Sequence, residues 1–372
     1  MMSQRLFRTS DGLAQLLSAA LIAAVLAAGP VEAATAPIDP LATPASLLDG
    51  PLAAPLLGLA RAGDALVSVG LHGLIQRSRD NGQTWQQVAS PVSSDFVQVR
   101  FSDPLNGWIV GHDCVVLHSA DGGLSWAVQM DGRQLLGVLD TVYGQRAASG
   151  DQDAADMVQE VSRAMGSSAT ADVLPAPLLD VLFDAQGHGF AVGAFGMILR
   201  SDDAGKTWQP WVERADNPKR MHLYGLAEHD GTFYISGEQG LLLRLDAQQQ
   251  RFVKIDTPYT GTWFGVRAFD HLLLAFGLRG NLFASRDDGH SWQALNTGIN
   301  SSLVSIVEQG AALVVVSQGG QMIQVDRQTL KVTPLASGRV GEVYAAIAAE
   351  QAGSLVVARF NGAKVIDVAK AD

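Results

Sequence analysis

Ser78-Arg-Asp-Asn-Gly-Gln-Thr-Trp85, Ser119-Ala-Asp-Gly-Gly-Leu-Ser-Trp126, Ser201-Asp-Asp-Ala-Gly-Lys-Thr-Trp208 and Ser285-Arg-Asp-Asp-Gly-His-Ser-Trp292 share one spacing, S-x-D-x-G-x-[ST]-W. Four such octapeptides in one chain are an internal repeat, and repeats of this kind decide a fold before any single element does. A second pattern lies upstream of each box and continues beyond the last. An apolar strand ends in Gly, two variable residues come next, then Gly and another apolar strand. Its copies are Gly70–Gly73, Gly111–Cys114, Gly193–Gly196, Gly237–Gly240 and Gly277–Gly280, with weaker ones at Ser317–Gly320 and Arg359–Gly362. Their last positions step by 41, 82, 44, 40, 40 and 42 residues.

The step of 82 is twice the unit. Residues 130–175 carry no strand–Gly–strand hairpin, whereas Ala154, Met157, Val158, Val161 and Met165 fall at the spacing of an amphipathic helix. The chain therefore reads as seven units with one helical insertion, at about 130–175, between the second and the third.

Each unit holds four short strands joined by Gly-rich turns. In the second they are Phe96–Phe101, Gly107–Gly111, Val115–Ser119 and a strand from Trp126. Four-strand units of about 41 residues predict an all-β, seven-bladed β-propeller of four-stranded antiparallel blades. The first strand of each blade should line the central channel. Its aligned positions are Gly58, Gln98, Asp180, Gly225, Gly265, Ser305 and Ala345, mostly small residues that let backbones converge. The last unit stops after three strands. An N-terminal strand at about 43–50 is expected to close the last blade and remove two sheet edges.

Composition agrees. At 47% hydrophobic and 17% charged, the 372-residue chain has too much apolar surface for disorder, and its 39 glycines suit many turns. One cysteine, Cys114, excludes an internal disulfide framework and a Cys-based zinc site, and reads as a small buried residue. A net charge of −11 with no basic block argues against nucleic-acid binding. Residues 1–33 read as a signal peptide. Arg5 and Arg8 precede the apolar run Leu13 to Gly29, and Val31-Glu32-Ala33 has the form of a cleavage site. The alternative is an uncleaved N-terminal anchor. The expected organisation is a signal peptide at 1–33, a linker at 34–44 and the propeller at 45–372, in an exported, periplasmic, monomeric protein with no further membrane span.

In the boxes, Asp80, Asp121, Asp203 and Asp287 are expected to accept N–H bonds across their own turns, while Trp85, Trp126, Trp208 and Trp292 pack between sheets. Lying on four different blades, these carboxylates form no common pocket, so no catalytic residue is assigned. The loops on the opposite face offer the candidates for partner binding: His72, His112, Asp113, Phe195, Glu238, Gln239, Arg279, Gln318 and Phe360, with Lys219, Arg220, His222 and Trp263 on the neighbouring connections. Loops on a rigid scaffold usually carry recognition, although ordinary solvated side chains are the plainer reading. His72, His112 and Asp113 invite a metal reading, but no local ligand motif supports it, and no metal or other cofactor is expected. Met157, Val161 and Met165 either dock the inserted helix or present a partner-binding stripe.

The boxes resemble the Asp-box, or BNR, repeats of sialidases. That likeness would imply an Arg-Ile-Pro motif, which is absent, and a tyrosine nucleophile for which none of the five tyrosines has a recognisable setting. The whole unit, Asp103-Pro-Leu-Asn-Gly-Trp-Ile-Val-Gly111 followed by Ser119 to Trp126 and echoed by Asp184-Ala-Gln-Gly-His-Gly-Phe-Ala-Val-Gly193, is similar to the repeat of the photosystem II stability/assembly factor family. The resemblance spans roughly residues 45–370. It implies a non-catalytic scaffold that binds a protein partner, a subunit of an envelope or membrane complex. The alternative is a sialidase-like glycoside hydrolase or a carbohydrate-binding propeller on the same fold.

Overall fold

The computed structural model describes residues 38–48, 53–336 and 340–370. The chain divides at Ile38/Asp39, and the unit Asp39–Asp372 carries every strand and helix among the described residues. The segment 1–33 lies outside the described residues. Seven antiparallel sheets succeed one another along this unit. Their innermost strands are Leu56–Ala62, Phe96–Phe101, Leu178–Phe183, Leu223–His229, Trp263–Phe269, Leu303–Gln309 and Val343–Ala348. In every blade the second strand pairs with the first and the third with the second, so the protein is a seven-bladed β-propeller.

Burial grades outward. Second strands such as Gly107–Gly111, Gly189–Gly193 and Leu272–Gly277 are buried along their whole length, because sheets cover both faces; accordingly they read as unbroken apolar runs. The outermost strands, such as Gln86–Val88, are short and largely polar. The apolar core is seven separate clusters, one for each interface between neighbouring blades.

The last interface corrects the expectation about closure. Among the described residues, blade 7 has three strands and gains none from the N-terminus. Residues 40–48 instead run beside blade 1: Ser93 N–H donates to the Pro40 carbonyl, and Gln87 donates to Ser46 O and accepts from Leu48 N–H. Pro40 and Pro44 punctuate this stretch, and each removes a ladder donor, so it is poorly suited to a strand. The ring closes through side chains. Leu56, Leu59, Leu66 and Leu74 of blade 1 pack on Val356 and Ala358 of blade 7. Arg61 Nη2 donates to Ala348 O across the seam at 2.8 Å. The C-terminal pair Ala369–Lys370 adds instead to the outer edge of blade 6, beside Val332–Ala336.

The insertion is a helical hairpin, α1 (Gly132–Ala148) and α2 (Gln152–Met165). α2 follows the expected stripe. Ala154, Met157 and Val161 are buried in the cluster between blades 2 and 3 and Met165 packs against it, so these residues dock the helix, while Val158 stays exposed. α1 carried no comparable signal, since Gly137, Thr141, Val138, Val142 and Gly144 all lower helix propensity. It is held by a capping box between Asp131 and Gln134 and by burial of Leu135, Leu139 and Tyr143. Arg146 ties the hairpin down, pairing with Asp151 and with Glu213 of blade 3, whose carboxylate also accepts the Tyr143 hydroxyl at 2.8 Å.

Candidate functional site

The four boxes close the outer turns of blades 1, 2, 3 and 5 with one set of bonds. The Ser hydroxyl donates to Asp Oδ1 in the pairs Ser78–Asp80, Ser119–Asp121, Ser201–Asp203 and Ser285–Asp287, at 2.8–2.9 Å. The same hydroxyl oxygen accepts the N–H of Gly82, Gly123, Gly205 or Gly289, whose φ values of +79° to +89° suit only glycine without strain. The other carboxylate oxygen accepts the hydroxyl of Thr84, Ser125, Thr207 or Ser291. These bonds hold Asp80 and Asp287 at about 2, with the Thr84 and Ser291 hydroxyls the largest cause. Trp126 and Trp208 are buried, whereas Trp85 and Trp292 are half-buried. Every box carboxylate is thus spent within its own turn.

The Gly-x-x-Gly loops emerge on the opposite face. In five blades the third residue is left-handed: His72, Asp113, Phe195, Gln239 and Arg279 have φ of +53° to +57°. That conformation costs roughly 1–2 kcal/mol for a residue with a Cβ. The preceding glycine is required by contact, since a Cβ on Gly70 would lie 1.9 Å from the Pro55 carbonyl oxygen. Cys114 replaces the fourth glycine in blade 2; its buried thiol lies 2.9 Å from Ala176 O, and burial pushes it up to about 12.

His72, His112, Phe195, Lys219, Gln239, Arg279 and Phe360 are exposed on this face, and Asp113, Arg220, His222, Glu238 and Gln318 are half-buried. Phe195, His222 and Glu238 form one cluster. The Phe195 N–H donates to His222 Nδ1 at 3.0 Å, the two rings lie 5.0 Å apart, and Glu238 accepts the His222 N–H at 2.9 Å. Arg220 pairs with Glu160 of α2 at 3.2 Å. Trp263 does not belong to this surface. As the first residue of its strand it points into the core between blades 4 and 5, fully buried against Tyr259 and Phe283. Nor do His72, His112 and Asp113 converge: His72 turns to Asp95, while Asp113 accepts the Ser94 hydroxyl at 2.7 Å. Among the described residues, metal-ligating groups do gather at His229, Asp230 and Asp270, within 4.8 Å of one another on first turns of blades 4 and 5.

Inside the ring of loops lies a feature that the repeat spacing did not reveal. The register between first and second strands slips at one place in all seven blades, leaving Leu57, Val97, Leu179, Tyr224, Phe264, Val304 and Tyr344 without a strand partner. A β-bulge re-aims the extra residue. All seven are half-buried, and they make an apolar, partly aromatic collar at the channel mouth, with Tyr224 edge-on to Phe264 at 5.4 Å. Each directly precedes one of the aligned channel positions, which is where a sequence signal for them lay.

Below the collar is a cavity of about 280 Å³ lined by Gln98, Asp180, Gly225, Gly265, Ser305 and Ala345. Toward the far mouth it is lined by Arg61, Arg100 and Arg267. Asp180 is its one carboxylate among the described residues, and both oxygens are engaged: Arg100 donates through Nε and Nη2 at 3.0 and 2.7 Å, and the Leu226 N–H at 2.8 Å. Retaining glycoside hydrolysis ordinarily uses two carboxyl groups about 5–5.5 Å apart. Tyr224 sits at the collar, some three residues or about 10 Å along the strands from the arginines. Burial, and then the Glu238 carboxylate, push its phenol up and so keep it neutral.

The family model described as photosynthesis system II assembly factor YCF48 matches residues 68–147 and 168–332, breaking off across α2. Photosystem II assembly protein Ycf48 of Synechococcus sp. (strain JA-3-3Ab) is 32% identical over 137 residues, 35% of this chain and 40% of the relative. Photosystem II assembly lipoprotein Ycf48 of Synechococcus sp. (strain CC9902) is 27% identical over 119 residues, 31% of this chain and 36% of that protein. The chain thus aligns with well under half the length of these relatives. Among solved structures, YCF48 bound to D1 peptide superposes with a TM-score of 0.57 at 16% identity, covering 89% of this chain and all of the other. YCF48 from Cyanidioschyzon merolae gives 0.58 at 16% identity, over 87% and 98% of the two chains. PorZ of the Porphyromonas gingivalis type-IX secretion system gives 0.53 at 12%, over 86% and 39%. At such identities the structures speak for the fold.

Proposed function

Because the chain belongs to the photosystem II assembly factor Ycf48 family, we propose that it is a non-catalytic scaffold whose loop face receives a peptide segment from a subunit of a membrane complex. The observation that carries this reading is the sevenfold collar, ringed by Phe195 and Phe360, each more than 60% exposed. Apolar and aromatic side chains surrounded by polar loops have the composition of a binding hot spot with its rim. The D1 peptide bound to the structural relative supports the class of partner, a peptide segment of another protein. The single, fully engaged carboxylate of the channel supports a binding role over glycoside chemistry.

The apolar leader at 1–33 and the lipoprotein relative support an exported, periplasmic location. No helix among the described residues is long and apolar enough to cross a membrane. A photo-crosslinking side chain placed at Phe195, at Phe360, or at the exposed Leu124 on the box face tests the reading in the native envelope. Partner adducts from 195 and 360, and none from 124, are expected. Equal labelling from all three positions, or none from 195 and 360, overturns it.

A further inference from the structure

Three arginines, Arg61, Arg100 and Arg267, line the channel, with one carboxylate, Asp180, among the described residues. Of the three arginines lining it, only Arg100 has a carboxylate among the described residues, Asp180. Arg61 and Arg267 each make one hydrogen bond among the described residues, to the carbonyl oxygens of Ala348 and Ile306, at 2.8 and 3.1 Å. A guanidinium has five donors, so most of theirs have no protein acceptor among the described residues. Toward the mouth Arg267 shares a second pocket with three acids: Glu308 pairs with Arg327 at 3.1 Å, Asp270 with His229 at 2.8 Å, and Glu228 accepts the Gly231 N–H. These arginines stand inside a protein of net charge −11, so they are not part of a generally basic surface.

We propose that the central channel is a binding site for one small oxyanion, a phosphate or a small carboxylate, held between Arg61 and Arg267. The planar guanidinium fork matches the paired oxygens of both groups. The 280 Å³ cavity takes an ion of that size together with several waters. Arg267 is exposed to solvent, so it is open to an ion, and the like charge of Arg100 acts on it. The collar residues Leu57, Tyr224, Phe264, Val304 and Tyr344 line the other end of the same cavity, but the proposal does not depend on the peptide reading, since it is measured with no peptide present.

Calorimetric titration of the full chain with inorganic phosphate, and separately with succinate, at ionic strength held constant with chloride, tests the proposal and distinguishes the two anions. Saturable binding of one of them is expected. It should weaken roughly tenfold or more in Arg61→Gln and in Arg267→Gln, as loss of a charged hydrogen-bond partner implies, and stay unchanged in Arg163→Gln on the exposed face of α2. Should Arg267→Gln fail to fold, Arg267→Lys keeps the charge and retains binding within a few-fold. Absence of saturable binding by either anion, or binding undiminished in the Arg61→Gln Arg267→Gln double variant, overturns the site.

Discussion

Replacing Asp180 by alanine removes the one carboxylate in the channel and tests how three blades are joined. Asp180 is 1% exposed and lies on blade 3; its oxygens accept two bonds from Arg100 of blade 2 and one from the Leu226 N–H of blade 4. Its loss strands a largely enclosed guanidinium and two amide donors, since the Val181 N–H also donates to it at 2.9 Å. Breaking a buried pair by deleting one partner costs about 3–5 kcal/mol. Replacing both members by apolar groups avoids the stranded charge and leaves the Leu226 and Val181 N–H groups to lose their acceptor, about 1–3 kcal/mol each, in both variants alike. Asp180→Ala should therefore lose about 3–5 kcal/mol, and Asp180→Leu combined with Arg100→Met should be the more stable of the two variants. Guanidinium unfolding followed by the fluorescence of the seven tryptophans measures both. If the double variant is as unstable as the sum of the singles, the cost lies in lost packing and the electrostatic account is wrong.

The box carboxylates predict an acid transition with a definite sign. Asp80 and Asp287 are depressed to about 2, below the ordinary 3.8, so they add stability above pH 4 that is lost as pH falls from about 4 to about 2. Melting temperatures of the wild type should drop across that window more than those of Asp80→Asn Asp287→Asn; parallel curves would refute the assignment. Gly70→Ala should lose about 1–3 kcal/mol or more from overpacking alone. Its backbone is extended, but the added Cβ meets the Pro55 carbonyl at 1.9 Å, so a shift in denaturation midpoint below experimental error would contradict the contact. Cys114, buried with its thiol pushed up to about 12, should not react with a thiol reagent at pH 8 until denaturant is added. Rapid labelling of the native protein would place it at the surface.

Much of the propeller was legible in the sequence because its signals are short-range. The Ser-x-Asp-x-Gly-x-[Ser/Thr]-Trp turn is satisfied by its own eight residues, and the apolar runs of the second strands report burial on both faces. Counting the repeats therefore yields the blades, and the stripe of α2 yields a helix. Legibility ends where the deciding contact comes from far along the chain. α1 is held by packing against blades 2 and 3, which no propensity in Gly132–Ala148 reports. Trp263 looks like a loop aromatic until its register turns it into the core.

The chain by itself determined seven repeated units, their turn chemistry and the place of the insertion, since each depends on residues within one period. Only the tertiary structure decided how the ring closes, which side chains form the collar and which arginines share the channel. Leu56 meets Val356, Arg61 meets Ala348 and Arg100 meets Asp180 across separations of some 80 to 300 residues. Such meetings are set by strand register and by a bulge repeated in every blade. A slip of one residue sends a side chain to the other face of its sheet, and the alignment that marks the position of the slip does not by itself report that the strand slips there.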